Sequence, residues 1–312
     1  QIDGKERVYV GTIGTGRMLE YSWNGSSWSS PVDVGGSPSG SEIHNVTIGP
    51  GRGDGKDRLY AASLDNNIYE IWHDDTGWHQ IVVGSVGGQA MHAAVGIGRN
   101  DGITRLYGVS TGQLYEFTWN GTNWTRILIG NTPGSHGIAV GKGRNDAQNY
   151  VYVASISSGT YEVSFNGTAW SIASMGNPGN DDRDVELGAG RNDGITRVYS
   201  AMLDGRIREF TWNGSSWTNS LLPAPPGGQQ IHAYITAGRN DGVNRVYTSS
   251  GNGKAYEYTW DGSSWSIYNM GGGPDYMYGF HFGKGRNDGL IRFYGADRGS
   301  VNRVYEYTWV AP

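Results

Sequence analysis

Seven histidines are the side chains in this 312-residue chain best suited to chemistry near neutral pH. Four of them, His44, His92, His136 and His232, fall at comparable places in successive stretches of roughly 44 to 48 residues. The matching places in two further stretches fall at Arg183 and Tyr278. An imidazole can bind a metal, move a proton or hydrogen-bond to a ligand. A catalytic centre needs one copy, so repetition points to backbone hydrogen bonding or to a ring of equivalent ligand pockets. Zinc is not expected, because repeated elements would hold the imidazoles apart and coordination needs nitrogens within about 2.1 Å of one ion.

Other chemistry-bearing residues recur in the same rhythm. A glutamate returns as Glu20, Glu70, Glu116, Glu162, Glu209, Glu257 and Glu306, and an arginine as Arg7, Arg58, Arg105, Arg197, Arg245 and Arg292. On adjacent antiparallel strands these would form a cross-strand ion pair, a scaffold role rather than a set of acids. A tryptophan closes a turn at Trp28, Trp78, Trp124, Trp170, Trp217 and Trp265, and a second precedes it at Trp23, Trp119, Trp212, Trp260 and Trp309. These rings either pack between repeats or offer flat faces to sugar C–H groups. The segment Gly98-Arg99-Asn100-Asp101-Gly102 recurs at Gly143, Gly190, Gly238 and Gly285, with a variant at Gly51. Its Asp and Asn suggest calcium, but the Arg beside them disfavours a divalent ion. A turn in which the Asp accepts local N–H groups is the expectation, and no cofactor is implied. The most irregular stretch, Asn180 to Asp184 with Glu186, is the best place for a non-repeating acid/base group.

The elements that carry these residues are short strands. Each repeat has an Arg-hydrophobic-Tyr strand such as Arg105-Leu106-Tyr107. A turn follows, and then an alternating strand, Leu114 to Trp119. An Asn-Gly hairpin runs into Trp124, and a fourth strand spans Arg126 to Ile129. A Gly/Pro/Ser loop then leads to a small, glycine-rich strand such as His136 to Val140, which ends in the next Gly-Arg-Asn-Asp-Gly turn. Four short strands per repeat specify an all-β chain, a β-propeller of four-stranded antiparallel blades with the glycine-rich strand innermost. The sequence yields about 26 strands, three in each terminal repeat and four in the five between. Seven blades are favoured over six, forming a single propeller domain over residues 1–312 with incomplete terminal repeats.

Composition agrees. There are 52 glycines, too many for a mainly helical protein, and 12 Trp and 20 Tyr, too many for a disordered one. Net charge is −5 without a basic tract, so nucleic acid is not an expected partner. No apolar run suits a membrane helix, and membrane insertion is not expected. Absence of Cys excludes disulfides and thiolate sites. A start at Gln1 without a signal peptide suggests a mature or trimmed form. An open strand edge in the last repeat would make an oligomer possible.

The run from Gly98 to Gly102, with Leu106-Tyr107, Leu114-Tyr115-Glu116 and Trp119-Asn120-Gly121 through Trp124, resembles β-propeller lectins of the tachylectin-2 and Photorhabdus type. The likeness extends over nearly the whole chain. The Arg-Asn-Asp turn and the Arg/Glu pair depart from that pattern. The resemblance implies a secreted, multivalent, non-catalytic protein that binds glycans in shallow pockets between blades. Its ligand-binding candidates here are His44, His92, His136, His232, Arg183 and Tyr278, with Trp78, Trp124, Trp217 and Trp265. Two alternatives stay open: a polysaccharide lyase or hydrolase using the Asp181–Glu186 cluster, and a structural or protein-binding propeller.

Overall fold

A computed structural model describes residues 4–176, 181–272, 277–297 and 303–309. Blade 1 contains β1 (Val8–Gly11), β2 (Arg17–Tyr21) and β3 (Val32–Gly36). Blade 2 contains β4 (Ile43–Gly49), β5 (Arg58–Ser63), β6 (Asn67–Asp74) and β7 (Gly77–Ser85), and blade 3 β8 (Ala90–Gly96), β9 (Arg105–Ser110), β10 (Gln113–Trp119) and β11 (Trp124–Asn131). Blade 4 is β12 (Ser135–Gly141), β13 (Tyr150–Ser155), β14 (Gly159–Phe165) and β15 (Trp170–Ser174), and blade 5 is β16 (Asp182–Gly188), β17 (Arg197–Met202), β18 (Ile207–Trp212) and β19 (Trp217–Leu221). Blade 6 follows as β20 (Gln230–Thr236), β21 (Arg245–Ser250), β22 (Lys254–Trp260) and β23 (Trp265–Gly272), and blade 7 as β24 (Met277–Gly283), β25 (Arg292–Asp297) and β26 (Val304–Tyr307).

Every pairing is antiparallel between chain neighbours. The result is seven meander sheets arranged as a seven-bladed propeller, with five of four strands and the two terminal ones of three. The 26 strands and their partition match the expectation from the repeat. Local chemistry sets the turns. In the hairpins, the Asn120 Oδ1 accepts the Thr122 and Asn123 N–H groups at 2.9 and 2.8 Å, while Gly121 takes φ 100°. The second strand of each inner blade is buried on both faces, as in Arg58–Ser63, because neighbouring blades cover both sides. Six apolar clusters fill the space between consecutive blades, built around second- and third-strand residues with first- and fourth-strand residues beside them. One of them joins Tyr60 and Ile68 of blade 2 to Leu106 and Phe117 of blade 3.

Blade 1 lacks an inner strand and blade 7 an outer one, and no strand is exchanged between them among the described residues. The ring closes instead through side chains. Trp28 of blade 1 packs edge-on against Tyr294 of blade 7 at 5.9 Å, and Arg286 lies 4.1 Å from the Trp23 ring.

Candidate functional site

The propeller has two faces. The Gly-Arg-Asn-Asp-Gly turns and Asn-Gly hairpins share one, and the starts of the inner strands lie at the other.

At the turn face, each side chain of the repeated pentapeptide has a separate partner. The Asp accepts the N–H two residues on, as Asp101 Oδ1 does from Ile103 at 3.1 Å. The second-strand Arg grips the same Asp with two nitrogens, Arg105 Nη1 and Nη2 at 2.8 and 2.7 Å. The loop Arg instead takes the buried third-strand Glu in a two-pronged bond, Arg99 Nε and Nη2 to Glu116 at 2.8 and 2.7 Å. The expected cross-strand Arg/Glu ion pair forms as well, at longer range than the loop Arg bond. The register sets Glu opposite Tyr (Tyr107↔Glu116, Tyr199↔Glu209), and the strand Arg reaches the Glu only through Nε, at 3.6 Å in the Arg105–Glu116 case. Where Tyr150 replaces the strand Arg, its hydroxyl donates to Asp146 at 2.8 Å and keeps the turn anchored.

The same turn fastens each blade to the next. The guanidinium of the loop Arg lies over the aromatic residue that precedes the next blade's hairpin: Arg52 on Trp119 at 4.0 Å, Arg144 on Trp212 at 3.9 Å, Arg191 on Trp260 at 4.0 Å. The Asn adopts φ near 60°, a left-handed conformation that Asn tolerates better than most residues. Its amide then pairs with one backbone unit of the following blade. Asn192 Nδ2 donates to the Asn244 carbonyl at 2.8 Å and its Oδ1 accepts the Asn244 N–H at 2.7 Å. Asn100, Asn145 and Asn240 repeat this with Asn149, Thr196 and Ile291. Asn287 does so with Glu6 across the closing seam.

The predicted tryptophans lie in these seams. Trp78, Trp124, Trp217 and Trp265 each meet, edge-on, the second-strand Tyr of the preceding blade: Tyr9 at 6.2 Å, Tyr60 at 6.1 Å, Tyr152 at 6.0 Å and Tyr199 at 6.5 Å. Trp124 and Trp217 also donate Nε1–H to Glu70 and Glu162 of the preceding blade, at 3.0 and 3.2 Å.

At the other face, the predicted histidines gather at the mouth of the central channel. Each inner strand from β4 to β24 carries a bulge at its start, one extra residue against its partner. The bulge separates the histidines into two registers. His44, His136 and Arg183 occupy the bulge itself, as does the backbone of Tyr278, whereas His92 and His232 stand one residue further, level with Asn45 and Asp184. The four histidines are therefore not equivalent. Nor are they held apart: the rings of His44 and His136, two blades apart, lie 5.3 Å from each other.

His44 is oriented by Nδ1–H donating to the Met91 carbonyl at 2.8 Å. Burial, Arg183 and the neighbouring histidines push His44 down to about 4, partly opposed by the Met91 bond. Burial, His44 and Arg183 push His136 down to about 3. Deeper in, Asn45 holds its Oδ1 to the Ala93 N–H at 3.1 Å and its Nδ2 to His92 Nε2 at 2.7 Å. Asp184 repeats the first of these contacts with Ala233 at 3.2 Å and pairs with His232 at 3.2 Å. Gly137 makes room for it, since a Cβ there would stand 2.7 Å from the Asp184 backbone. Burial raises the Asp184 carboxyl, but the His232 hydrogen bond and the His232 and His92 charges outweigh it and lower it overall. Burial beside Asp184 pushes Glu186 up to about 8. Within the acidic stretch, Asp182 is buried and accepts from Thr160 at 2.6 Å, Asp181 is exposed, and Asn180 lies outside the described residues. Among the described residues, no group of three or more His, Asp or Glu is arranged to hold a metal ion. No helix among the described residues is long and apolar enough to cross a membrane.

One feature of the turn face was not anticipated from the repeat. The residue just after each turn is often aliphatic and projects into solvent: Ile103 is 48% exposed, Ile195 39%, Val243 37% and Leu290 45%. The recurrence of Ile, Val or Leu immediately after Asp-Gly is the signal that would have found it.

No family profile and no curated protein matches the chain. Among solved structures it is similar to BBS1N in complex with ARL6DN. The mercury-soaked crystal gives a TM-score of 0.59 at 15% identity over 85% of this chain and 79% of that one. The lead-soaked crystal gives 0.56 at 14% over 84% and 78%. At this identity the likeness shows the fold alone.

Proposed function

We propose that this chain is a non-catalytic, protein-binding propeller that docks a partner on its turn face. The observation that carries this reading is the recurrence of solvent-exposed aliphatic side chains at Ile103, Ile195, Val243 and Leu290. Aliphatic groups offer nothing to sugar hydroxyls, but they form the apolar centre of a protein interface when polar residues surround them. Exposed Asn and Asp side chains of the turns, such as Asn100 and Asp101, stand beside them in the chain. A guanidinium covers one face of several pre-hairpin tryptophans, Trp119, Trp212 and Trp260 among them, and that face is taken from any sugar. The resemblance to BBS1N, solved with a protein bound, is consistent with a propeller used in this way.

A protein microarray run beside a glycan array tests the proposal. Protein hits should weaken by about tenfold or more when the four aliphatic residues are changed together to Ser, with the melting temperature retained. Saturable glycan binding without any protein hit would overturn it.

Glycan binding is the second reading, and a separate observation favours it. A cleft between blades 7 and 1 is lined by Lys5, Trp23, Asn24, Gly25, Arg286, Asn287 and Asp288. It sets the Trp23 ring, one face of which Arg286 covers at 4.1 Å, among several hydrogen-bonding groups, so that only the other face is left for a monosaccharide. Loss of glycan-array signal in Trp23→Ala would support this reading.

A further inference from the structure

Three groups able to carry positive charge meet at the mouth of the channel, each from a different blade. His44, His136 and Arg183 occupy the bulges that open β4, β12 and β16, so they stand at one level. His44 reaches across to blade 3, where its Nδ1–H donates to the Met91 carbonyl at 2.8 Å, and its ring lies 5.3 Å from that of His136. The starts of β12 and β16 are in close contact, since a Cβ on Gly137 would stand 3.0 Å from the Arg183 carbonyl oxygen. The Arg183 charge disfavours a proton on either imidazole.

The two histidines are equipped to donate outward. With Nδ1–H committed to Met91, neutral His44 presents a lone pair at Nε2, and a further proton turns that atom into a donor. His136 is half-buried, and among the described residues nothing hydrogen-bonds to its ring. The other titratable groups at this end are Glu42 before β4, His92 on β8, Asp184 and Glu186 on β16, His232 and Tyr234 on β20, and His281 on β24. Asp184 is engaged by His232 and by the Ala233 N–H, both at 3.2 Å, and Glu186 lies two residues deeper beside it. Burial and mutual repulsion hold His44 and His136 neutral near pH 7.

We infer that the channel mouth binds an oxyanion of the sulfate or phosphate type, gripped jointly by His44, His136 and Arg183. The anion supplies the negative charge that offsets three mutually repelling groups, and its oxygens accept from each of them. Both imidazoles take up a proton as it enters. Binding therefore strengthens as the pH falls from neutrality toward the empty-site values of about 4 for His44 and about 3 for His136. The site lies at the face opposite the turns, and the inference is independent of the turn-face partner.

Inorganic sulfate is the probe, because its double charge does not change across this range. Calorimetric titration of the full chain, at constant ionic strength made up with chloride, should give one site per chain. Its affinity at about pH 5 should exceed that at about pH 7 by roughly tenfold or more. Heats measured in two buffers of different ionisation enthalpy should show protons taken up on binding. In nitrogen-15 histidine spectra, saturating sulfate should raise the His136 titration midpoint by about one pH unit or more. Arg183→Gln and His136→Gln should each weaken sulfate binding by about tenfold or more. Arg183→Gln should also raise the His44 and His136 midpoints when sulfate is absent. Phenyl sulfate titrated in parallel separates two sources: binding as tight as sulfate's marks an ester on a larger ligand, and exclusion marks the free anion. Three results would overturn the inference: an affinity that ignores pH, a His136 midpoint that sulfate leaves in place, or undiminished binding by the variants. The spectra of the parent protein decide the matter even where a variant does not fold. None of these results bears on the turn-face partner.

Discussion

Blade 2 contains its own test of how the ring is fastened. Its turn reads Gly51-Arg52-Gly53-Asp54-Gly55, with Gly53 where the five later turns have Asn. Gly53 already takes φ +72°, the conformation the other turns give to Asn, and a Cβ there would meet nothing within 4 Å. Gly53→Asn should therefore install the missing staple, its amide pairing with the backbone of Thr104, the residue of blade 3 that corresponds to Thr196. Two hydrogen bonds at an exposed seam contribute about 0.5 kcal/mol each, the low end of the usual range. Replacing Gly reduces the freedom of the unfolded chain by about 0.4–1 kcal/mol, less a few tenths for placing Asn at positive φ. The expected gain is about 1–1.5 kcal/mol. Gly53→Ala has the same unfolded-state benefit, makes no staple and meets the left-handed penalty of about 1–2 kcal/mol, so it should lose about 0.5–1 kcal/mol. Urea unfolding followed by circular dichroism measures both, and amide exchange at Thr104 reports the staple directly. If Gly53→Asn is no more stable than the parent, or Thr104 exchanges at the parent rate, the staple account of the Asn fails.

Other outcomes follow from the same contacts. Arg191→Ala leaves Glu209, whose side chain is only 1% exposed, with Arg197 Nε at 3.8 Å as its remaining cation, and should cost about 2–4 kcal/mol by urea unfolding. Arg191→Lys should recover only part of this, since an ammonium cannot form the two-pronged bond. For pH, His44, His92 and His136 have folded values depressed to about 4, 4 and 3. Their stabilising effect is present above about 6.5 and is lost as pH falls from there toward 4. Glu186, raised to about 8, acts on the other side: its protonated form is favoured in the fold, and that stability is lost as pH rises from about 4.5 to 8. His136→Phe should flatten the acid limb of a stability-versus-pH curve and Glu186→Gln the limb above pH 5. An unaltered curve for either would contradict the channel geometry.

The strands were legible because their signals are short-range. Alternation, Asn-Gly turns and the returning pentapeptide act over a few residues, and they fix the number and type of elements wherever they occur. The Asp that accepts its own turn's N–H groups was legible for the same reason. The partner of each charged side chain was not. Arg99 and Arg105 are both close to Glu116 in sequence, and only the twist of the folded blade decides that the loop guanidinium takes the carboxylate while the strand guanidinium turns back to Asp101. The tryptophans were recognised as a repeat, but their direction, into the seam against the preceding blade, depends on how the sheets stack. The histidines show the limit most clearly. Sequence spacing made His44 and His92 look equivalent and distant from the rest. A one-residue bulge places them in different registers, and closure of seven blades brings His44 to 5.3 Å from His136, 92 positions along the chain. The sequence determined the repeated unit and its hydrogen-bonded turns. Curvature of the ring, a sum of many small inter-blade rotations, decided what meets at its centre and along its seams.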